Sequence, residues 1–257
     1  MSAIRTYLAE VAAAVRMSLA DRTNFTLQAA GMLINNGFVL LLWFMFFKGF
    51  HAIGGWRLQD VALLVGLIAT VVGVAGVAFG GYRDLAAVIL RGEPDALLTQ
   101  PSRLLPRLLA RESSATAWGD IVTGVILFAA FARIAPSDLP WLAFSLVGGV
   151  VVYLSVAVSF ACLAFWMRGA RSFARDLTDF VILFSSYPGS IYSGAAKLVV
   201  FTVFPAGFIV LVPVALLRHP TVGLAAVVAG AAAAYATLAL IVFNVGLGRY
   251  RRGVSPA

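Results

Sequence analysis

The chain is poor in the residues from which enzymes build active sites and metal centres. Its 257 residues include one cysteine, two histidines and two lysines. The single thiol, Cys162, excludes an intrachain disulfide, and His51 and His219 fall in predicted loops, away from any zinc site or intramembrane serine nucleophile. Neither Lys48 nor Lys197 follows the glycine-rich turn of a phosphate-binding loop. We therefore expect a protein that is not an enzyme, binds no cofactor and does not hydrolyse ATP by itself.

Charged residues are also scarce, at 12% of the chain against about 25% in a typical soluble domain. Hydrophobic residues make up 61%, and the mean hydropathy is +0.96. A bilayer core needs roughly 20 apolar helical residues, and four stretches that long carry no charge: residues 23–47, 61–82, 139–167 and 221–248. The pattern predicts an all-α, polytopic membrane protein. The N-terminus lacks the features of a cleaved signal peptide.

The net charge of +8 is explained by membrane topology. Cytoplasmic loops collect Lys and Arg, so we predict membrane lipids and no nucleic acid as partners. With six spans and cytoplasmic termini, all but five of the 19 basic residues lie on the inner side. The five outer residues are Lys48, Arg57, Arg133, Lys197 and Arg218. The predicted location is the plasma (cytoplasmic) membrane, with a multi-pass topology.

The six spans are predicted at residues 26–47, 60–81, 113–134, 140–167, 174–187 and 221–248, all within one domain over residues 1–257. An interfacial helix is predicted over residues 3–22, because its apolar residues share about a third of the helical circumference beside Arg5 and Arg16. The alternative for this helix is packing against the protein's own loops.

The stretch before the last span is too long for one helix and is interrupted by Pro188, Pro205 and Pro213. The charge count requires an odd number of crossings here. We therefore predict one span followed by a re-entrant helical hairpin over residues 191–217 with Pro205 at its tip. Broken helices are tolerated in membranes only where protein or a watery cavity covers the freed backbone groups, so the hairpin is a functional candidate. A kinked, tilted helix is the alternative.

Three acids lie within or beside spans: Asp120 in span three, and Asp176 and Asp179 at the start of span five. Charges at membrane depth are costly and usually functional, so Asp120 is the candidate for a proton relay. Salt bridges at the inner interface are the favoured interpretation, with these arginines as partners: Arg111, Arg168, Arg171 and Arg175.

Other polar side chains in the spans are candidates for the pathway or its gate. Asn35 and Asn36 point about 100° apart on span one, so both cannot face one neighbour. One of them lines the pathway or a subunit interface, or it makes a plain interhelical hydrogen bond. A polar band with Tyr187, Pro188 and Tyr192 near the outer end of span five either gates the exit or lies among headgroups.

Two small-residue motifs permit close helix packing. They are Gly76-x-x-x-Gly80 in span two and Gly230-x-x-x-Ala234 in span six. Such motifs serve packing within a chain at least as often as dimerisation, and both roles stay open.

The insertion after span two predicts a short, stiff cytoplasmic helix. Span two continues to about Leu90 and stops at Gly92, a residue type preferred just past a helix end. Glu93 precedes Pro94, and Asp95 lies in the first turn of a new helix. The predicted helix spans residues 93–100.

This short helix carries two exposed leucines. Leu97 and Leu98 lie between its start and Pro101, which ends it. An apolar-faced helix on a rigid mount is suited to docking into a partner's groove. The alternative is a loop that lies back on the membrane.

The loop resembles the one between spans two and three of ABC-2 type exporter permeases, in its pattern Ile89-x-x-Gly-Glu-x-Asp-x-Leu-Leu-x-x-Pro101. The proline-punctuated segment before the last span is similar to the family as well. The resemblance implies a connecting helix, a coupling helix, re-entrant helices, two permease subunits (self-copies or related chains) and separate ABC ATPase subunits that hold ATP and Mg. It assigns ATPase coupling to Glu93, Pro94, Asp95, Leu97, Leu98 and Pro101.

The predicted function is therefore that of a transmembrane permease subunit of an ATP-driven ABC exporter. A proton-coupled secondary carrier or channel that uses Asp120 is the alternative, and a structural membrane subunit is a third. The sequence leaves the substrate open.

Overall fold

The computed structural model describes residues 3–50, 52, 54–93, 104–132 and 134–253. The protein is all-helical, with 84% of residues in helices and no strands in the described part. This confirms the predicted fold class. The described α-helices, in chain order, are α1 Ala3–Ser18, α2 Arg22–Gly49, α3 Leu58–Ala78, α4 Leu85–Leu90, α5 Leu104–Ala110, α6 Ala115–Ala130, α7 Leu139–Ala161, α8 Ala170–Ser185, α9 Gly194–Thr202, α10 Val212–Arg218 and α11 Val222–Arg251.

Shorter helical turns connect several of these helices. A 3-10 turn, Gly80–Asp84, joins α3 to α4, and 3-10 turns extend α7 at both ends. A π-helical turn, Gly207–Leu211, leads into α10. The predicted insertion after span two therefore begins inside the fold, because α4 is almost wholly buried.

By length and composition, α2, α3, α7 with its flanking turns, and α11 are able to cross a membrane, and two bent pairs raise the number of candidate spans to six. The bent pairs are α5 with α6, at 81°, and α9 with Gly207–Arg218, at 79°. The predicted fifth span corresponds to α8, whose 16 residues reach about 24 Å at 1.5 Å per residue. Helix α8 is not among these candidates, since it is short and carries charges in its first half.

Helix α3 forms the centre of the bundle. In its most apolar window 83% of residues are buried, against 6% for α2 and 22% for α11. Apolar side chains are about as stable against lipid as against another helix, so burial of apolar surface alone does not hold helices together in a membrane. Close helix packing depends instead on small residues at the contact. An ideal Cβ on Gly73 would lie 2.9 Å from the Ala117 carbonyl oxygen, and one on Gly76 would lie 2.7 Å from the Ala117 Cβ. Helix α6 therefore lies directly on α3.

The two small-residue motifs have different surroundings. Gly80, like Gly76, packs within the chain, since its ideal Cβ would meet the Glu112 carbonyl oxygen at 2.5 Å. Gly230 has nothing within 4 Å. The first motif serves packing within the chain, whereas the second faces outward from it.

One end of the bundle, here the Asp60 end, gathers the start of α3 and the segments around α9 and α10. Arg218 at the end of α10 pairs with Asp60 at 2.7 Å, and its guanidinium lies 4.5 Å from the Trp56 ring centre. Gly189, just after α8, lies against the same Trp56 ring. The stretch from Gly189 to Arg218 thus begins and ends at the same end of the bundle.

The opposite end, here the Arg83 end, gathers α1, the end of α3, and the ends of α7 and α11. The Tyr7 hydroxyl donates to the Ala78 carbonyl at 2.8 Å. Phe165 and Tyr250 stack edge to face with ring centres 6.1 Å apart. Helix α3 therefore runs from the Asp60 end to the Arg83 end.

The chain breaks at Pro205 between α9 and the π-helical turn. Proline has no N–H to continue a helix. The Tyr235 hydroxyl of α11 donates to the Thr202 carbonyl at 2.7 Å, so a freed acceptor at the end of α9 is satisfied by a side chain. An ideal Cβ on Gly207 would lie 2.4 Å from the Phe201 ring, which shows how tightly the two limbs pack at the break.

Candidate functional site

The base of the predicted coupling loop is a well-formed helix terminus. Gly92 has φ +74°, a conformation that glycine adopts at little cost. The Gly92 amide donates to the Ile89 carbonyl at 3.1 Å, and the Glu93 amide donates to the Val88 carbonyl at 3.3 Å. These two bonds form a Schellman motif. The predicted helix stop at Gly92 is therefore confirmed. The predicted continuation of span two as one helix to Leu90 is wrong, because the 3-10 turn Gly80–Asp84 separates α3 from α4.

Glu93 ties the two sides of this loop together. Its carboxylate accepts from Arg111 at 2.7 Å and from Arg91 at 2.6 Å. These hydrogen bonds, from Arg111 first and then Arg91, hold the pKa of Glu93 below its ordinary value of 4.5. A lowered pKa means that the stabilisation is complete above about pH 4.5 and is lost as the pH falls through the folded-state value. The pairing therefore persists at neutral pH.

The remaining predicted coupling residues, Pro94, Asp95, Leu97, Leu98 and Pro101, lie outside the described residues. The coupling helix itself stays a prediction. The described chain resumes at α5, whose residues Leu104, Leu108, Leu109 and Ala110 are buried. Arg107 of α5 pairs with Glu10 of α1 at 3.0 Å, so the loop base, α5 and α1 form one connected unit.

Asp120 is bound by an amide rather than by arginine. Its side chain is 4% exposed, and Oδ1 accepts from the Asn36 amide at 2.8 Å. Within the described ranges it makes no ion pair, and Oδ2 is buried without a hydrogen-bond partner. The predicted salt bridge is wrong for Asp120, because its helix presents it to α2, away from the arginines of α8.

The arginines of α8 form ion pairs with Asp84 and not with the three acids predicted. Arg175 and Arg171 reach Asp84 at 2.5 Å and 3.6 Å, in the turn that follows α3. Asp176 and Asp179 form no ion pair with a described residue, so the predicted pairing is wrong for them as well. The actual acceptor lies in a different element, which spacing along α8 does not reveal.

Asn35 and Asn36 face different surroundings, as expected for neighbouring residues on a helix. Asn36 makes an interhelical bond to Asp120 and a second one to the Thr123 hydroxyl at 3.1 Å. Asn35 is exposed on α2, and its amide contacts only Met32 Sδ, at 3.8 Å, in the described part. The two neighbours therefore form a matched pair for testing.

We expect Asn36→Leu to destabilise the protein, because it leaves the buried Asp120 carboxylate without its donor. An unsatisfied buried group costs about 1–3 kcal/mol, and more if it is charged. Thermal unfolding of the purified protein in detergent measures the effect. Asn35→Leu is the control and should unfold at the wild-type temperature; an equal loss in both variants would contradict the assigned role of Asn36.

The remaining gate candidates form a separate aromatic cluster at the Asp60 end. Tyr187 stacks edge to face on Trp43 with ring centres 6.1 Å apart. The Tyr192 hydroxyl donates to the Phe184 carbonyl at 2.6 Å. Pro188 and Pro205 are both buried. These contacts place Tyr187 against α2 and Tyr192 against α8, and Pro205 lies inside the break of the next segment.

A cavity of about 400 Å³ opens at the Arg83 end between α3, α7 and α8. Its charged lining consists of Arg83, Arg171, Arg175 and Asp179. The Tyr82 and Tyr153 hydroxyls meet at 3.0 Å beside it. Positive charge therefore predominates on the wall of a largely apolar cavity.

A comparison with protein families decides the identity of the chain. A family model described as "ABC-2 family transporter protein" matches residues 33–253, which is well over half of the chain. The chain belongs to the ABC-2 transporter family. No curated protein and no solved structure shows significant similarity to it.

Membership confirms the resemblance seen in the loop and in the proline segment. An ABC-2 protein is the permease-type membrane component of a transporter and not itself a catalytic ATPase. Permeases of this family generally work with ABC ATPase partners. The chain is accordingly a multi-pass membrane protein.

Sequence reasoning missed the cavity of this ABC-2 permease. Arg171 and Arg175 are spaced to share one helix face, which is a usable signal, but the sequence predicts them as interfacial salt-bridge partners of Asp120, Asp176 and Asp179. Arg83 and Tyr153 are 70 positions apart, so only the packing of α7 against the turn after α3 brings them to one site.

Proposed function

We propose that this ABC-2 permease is the transmembrane subunit of an ATP-driven exporter. It forms the substrate pathway with a second permease subunit, either a copy of itself or a related chain, and separate ATPase subunits hold ATP and Mg. The observation that carries the proposal is the loop base, in which Glu93 joins Arg91 on one side to Arg111 on the other. The two ion pairs fix the loop base to the segments on both sides of it. Movement of the loop would therefore be transmitted to these segments.

Contacts beyond the loop base connect it, through α5 and α1, to the end of α3. Arg107 connects α5 to Glu10 of α1, and Tyr7 of α1 is bonded to the end of α3. Displacement of residues 93–100 by a closing ATPase would shift α5, α1 and α3 together. Access to the pathway would alternate as these elements move against α7 and α8.

The proposed orientation places the Arg83 end in the cytoplasm and the Asp60 end outside. The distribution of basic residues supports it, and the termini are then both cytoplasmic. The stretch from Gly189 to Arg218 contacts Trp56 at both of its ends, which supports a re-entrant hairpin over a broken span. Residues 3–22 would lie at the inner interface.

Thiol labelling tests this orientation in a Cys162→Ala background. We expect an impermeant maleimide to label Ala52→Cys and His219→Cys in intact cells, because both positions are exposed and lie at the Asp60 end. Ser255→Cys should react only after permeabilisation. Labelling of position 219 from the cytoplasm alone would contradict the hairpin, and the reverse pattern at all three positions would contradict the orientation.

ATP hydrolysis by the complex tests the proposed function. We expect the chain, tagged and purified from its native membranes, to carry an ATP-hydrolysing subunit with it. Glu93→Gln should lower the ability of the permease to stimulate that hydrolysis several-fold, since both ion pairs are lost. Glu112→Gln is the matched control, because Glu112 lies beside Arg111 at 3.4 Å but does not bridge the loop.

A different result would favour a carrier. If the purified chain alone dissipates a pH gradient across liposomes and Asp120→Asn abolishes this activity, the ATP-driven mechanism is wrong. If the Glu93→Gln permease stimulates ATP hydrolysis as well as the wild type does, the Glu93 ion pairs do not take part in coupling.

A further inference from the structure

We propose that the cavity at the Arg83 end is a binding site for the anionic head group of an amphiphile, with Arg83 as its principal ligand. The inference rests on the proposed export function and extends it to a class of substrate. Its basis is the combination of one half-buried cationic group, two exposed arginines and several apolar side chains on the wall.

Arg83 is a half-buried cation with few partners. Its only hydrogen bond in the described structure runs from Nε to the Tyr82 hydroxyl at 3.3 Å. No described carboxylate lies within ion-pair distance of it. Asp120 and Asp179 attract the Arg83 charge, but neither forms an ion pair with it. A charge held inside a membrane protein is costly and typical of a functional site, and a bound anion would supply a direct ion-pair partner.

The surrounding hydroxyls fix the position of this guanidinium. Tyr82 is 5% exposed and Tyr153 is 1% exposed, and their hydroxyls hydrogen-bond to each other at 3.0 Å. The Arg83 guanidinium carbon lies 5.8 Å from the Tyr82 ring centre. Because a buried tyrosine pair anchors Nε, the guanidinium is held in place before a ligand arrives, which lowers the entropic cost of binding.

The edge of the cavity contains two cations that are already paired. Arg171 and Arg175 both lie on Asp84 and are themselves exposed. Asp179 is the one acid on the lining, and it is exposed as well. The charged lining therefore holds three arginines and one aspartate, which favours an anion.

The rest of the wall suits an acyl chain. The apolar side chains of Val72, Ala157, Ala161 and Ile182 also line the cavity. A volume of about 400 Å³ is within the range of sites for small molecules. The planar guanidinium of arginine can donate two parallel hydrogen bonds to two oxygens of a phosphate, which the ammonium group of lysine cannot do. The ligand class is thus a phosphate-bearing amphiphile with one apolar tail in the cavity.

The test uses the purified full-length chain in detergent, without any ATPase subunit, so that its outcome is separate from that of the coupling experiment. The probes are dioctanoyl phosphatidic acid, dioctanoyl phosphatidylcholine with the same tails, and inorganic phosphate. We expect saturable binding of phosphatidic acid in calorimetry, with at least about tenfold weaker binding of the other two. Arg83→Gln should weaken phosphatidic acid binding about tenfold or more, and Arg83→Lys should weaken it less.

Two further variants keep the test decisive if Arg83→Gln fails to fold. Ala157→Phe fills part of the cavity and should reduce phosphatidic acid binding while leaving the arginines in place. Arg251→Gln, at the exposed end of α11, should bind like the wild type. Equal binding of phosphatidylcholine, equal binding of inorganic phosphate, or no effect of the Arg83 and Ala157 variants would each overturn the proposal.

Discussion

Replacing Leu97 and Leu98 with aspartate is expected to leave the permease in the membrane and to abolish its association with the ATPase. In the proposed function these leucines dock into a groove on the partner. An unpaired charge buried at such an interface costs about 3–5 kcal/mol, which is more than a hundredfold in affinity. Co-purification of the ATPase with the tagged permease measures the effect.

The control for this variant keeps the apolar surface. Leu97→Met with Leu98→Met should retain the partner, since methionine fills similar volume without a charge. If the aspartate variant co-purifies with the ATPase as the wild type does and stimulates the same hydrolysis, residues 93–100 are not the coupling helix.

The second large effect is expected at Gly81, in the turn between α3 and α4. An ideal Cβ at this position would lie 2.0 Å from the Leu108 carbonyl oxygen, and 3.0 Å from the carbonyl carbon. Both are backbone atoms of α5, so relief requires the helix to move. We expect Gly81→Ala to destabilise the protein by about 3 kcal/mol, the upper part of the usual range for overpacking.

Gly230→Ala is the matched control, because nothing lies within 4 Å of its ideal Cβ. Alanine also favours the helix by up to about 1 kcal/mol over glycine. Thermal unfolding in detergent compares the two variants. A Gly81→Ala protein that unfolds at the wild-type temperature would show that α5 does not rest on this turn.

The loop base shows which features local sequence predicts well. The stop at Gly92 follows from a backbone conformation that glycine favours, and the bonds that complete it join residues five or fewer positions apart. By contrast, the ion pair between Glu93 and Arg111 closes a separation of 18 residues. Nothing local selects Arg111 over the other arginines nearby.

Asp120 shows the same limit more strongly. The sequence placed it inside a span, and the structure buries it, but the predicted arginine partners are wrong. Its donor, Asn36, is 84 positions away. The face of α6 that meets α2 depends on where Gly73 and Gly76 allow α6 to lie on α3, and this is a property of three helices together.

The sequence alone determined that this is a helical membrane protein of the ABC-2 type. Scarce charge, long apolar stretches and a local loop pattern are sufficient, because each reports on the solvent or on a few adjacent residues. The tertiary structure alone decided which polar groups meet: Asn36 with Asp120, Arg218 with Asp60, and Arg83 beside the two tyrosines. Apolar residues are equally stable against lipid and against protein, so hydropathy carries no information on which helix faces pair. That choice depends on small-residue contacts and buried polar bonds between distant parts of the chain.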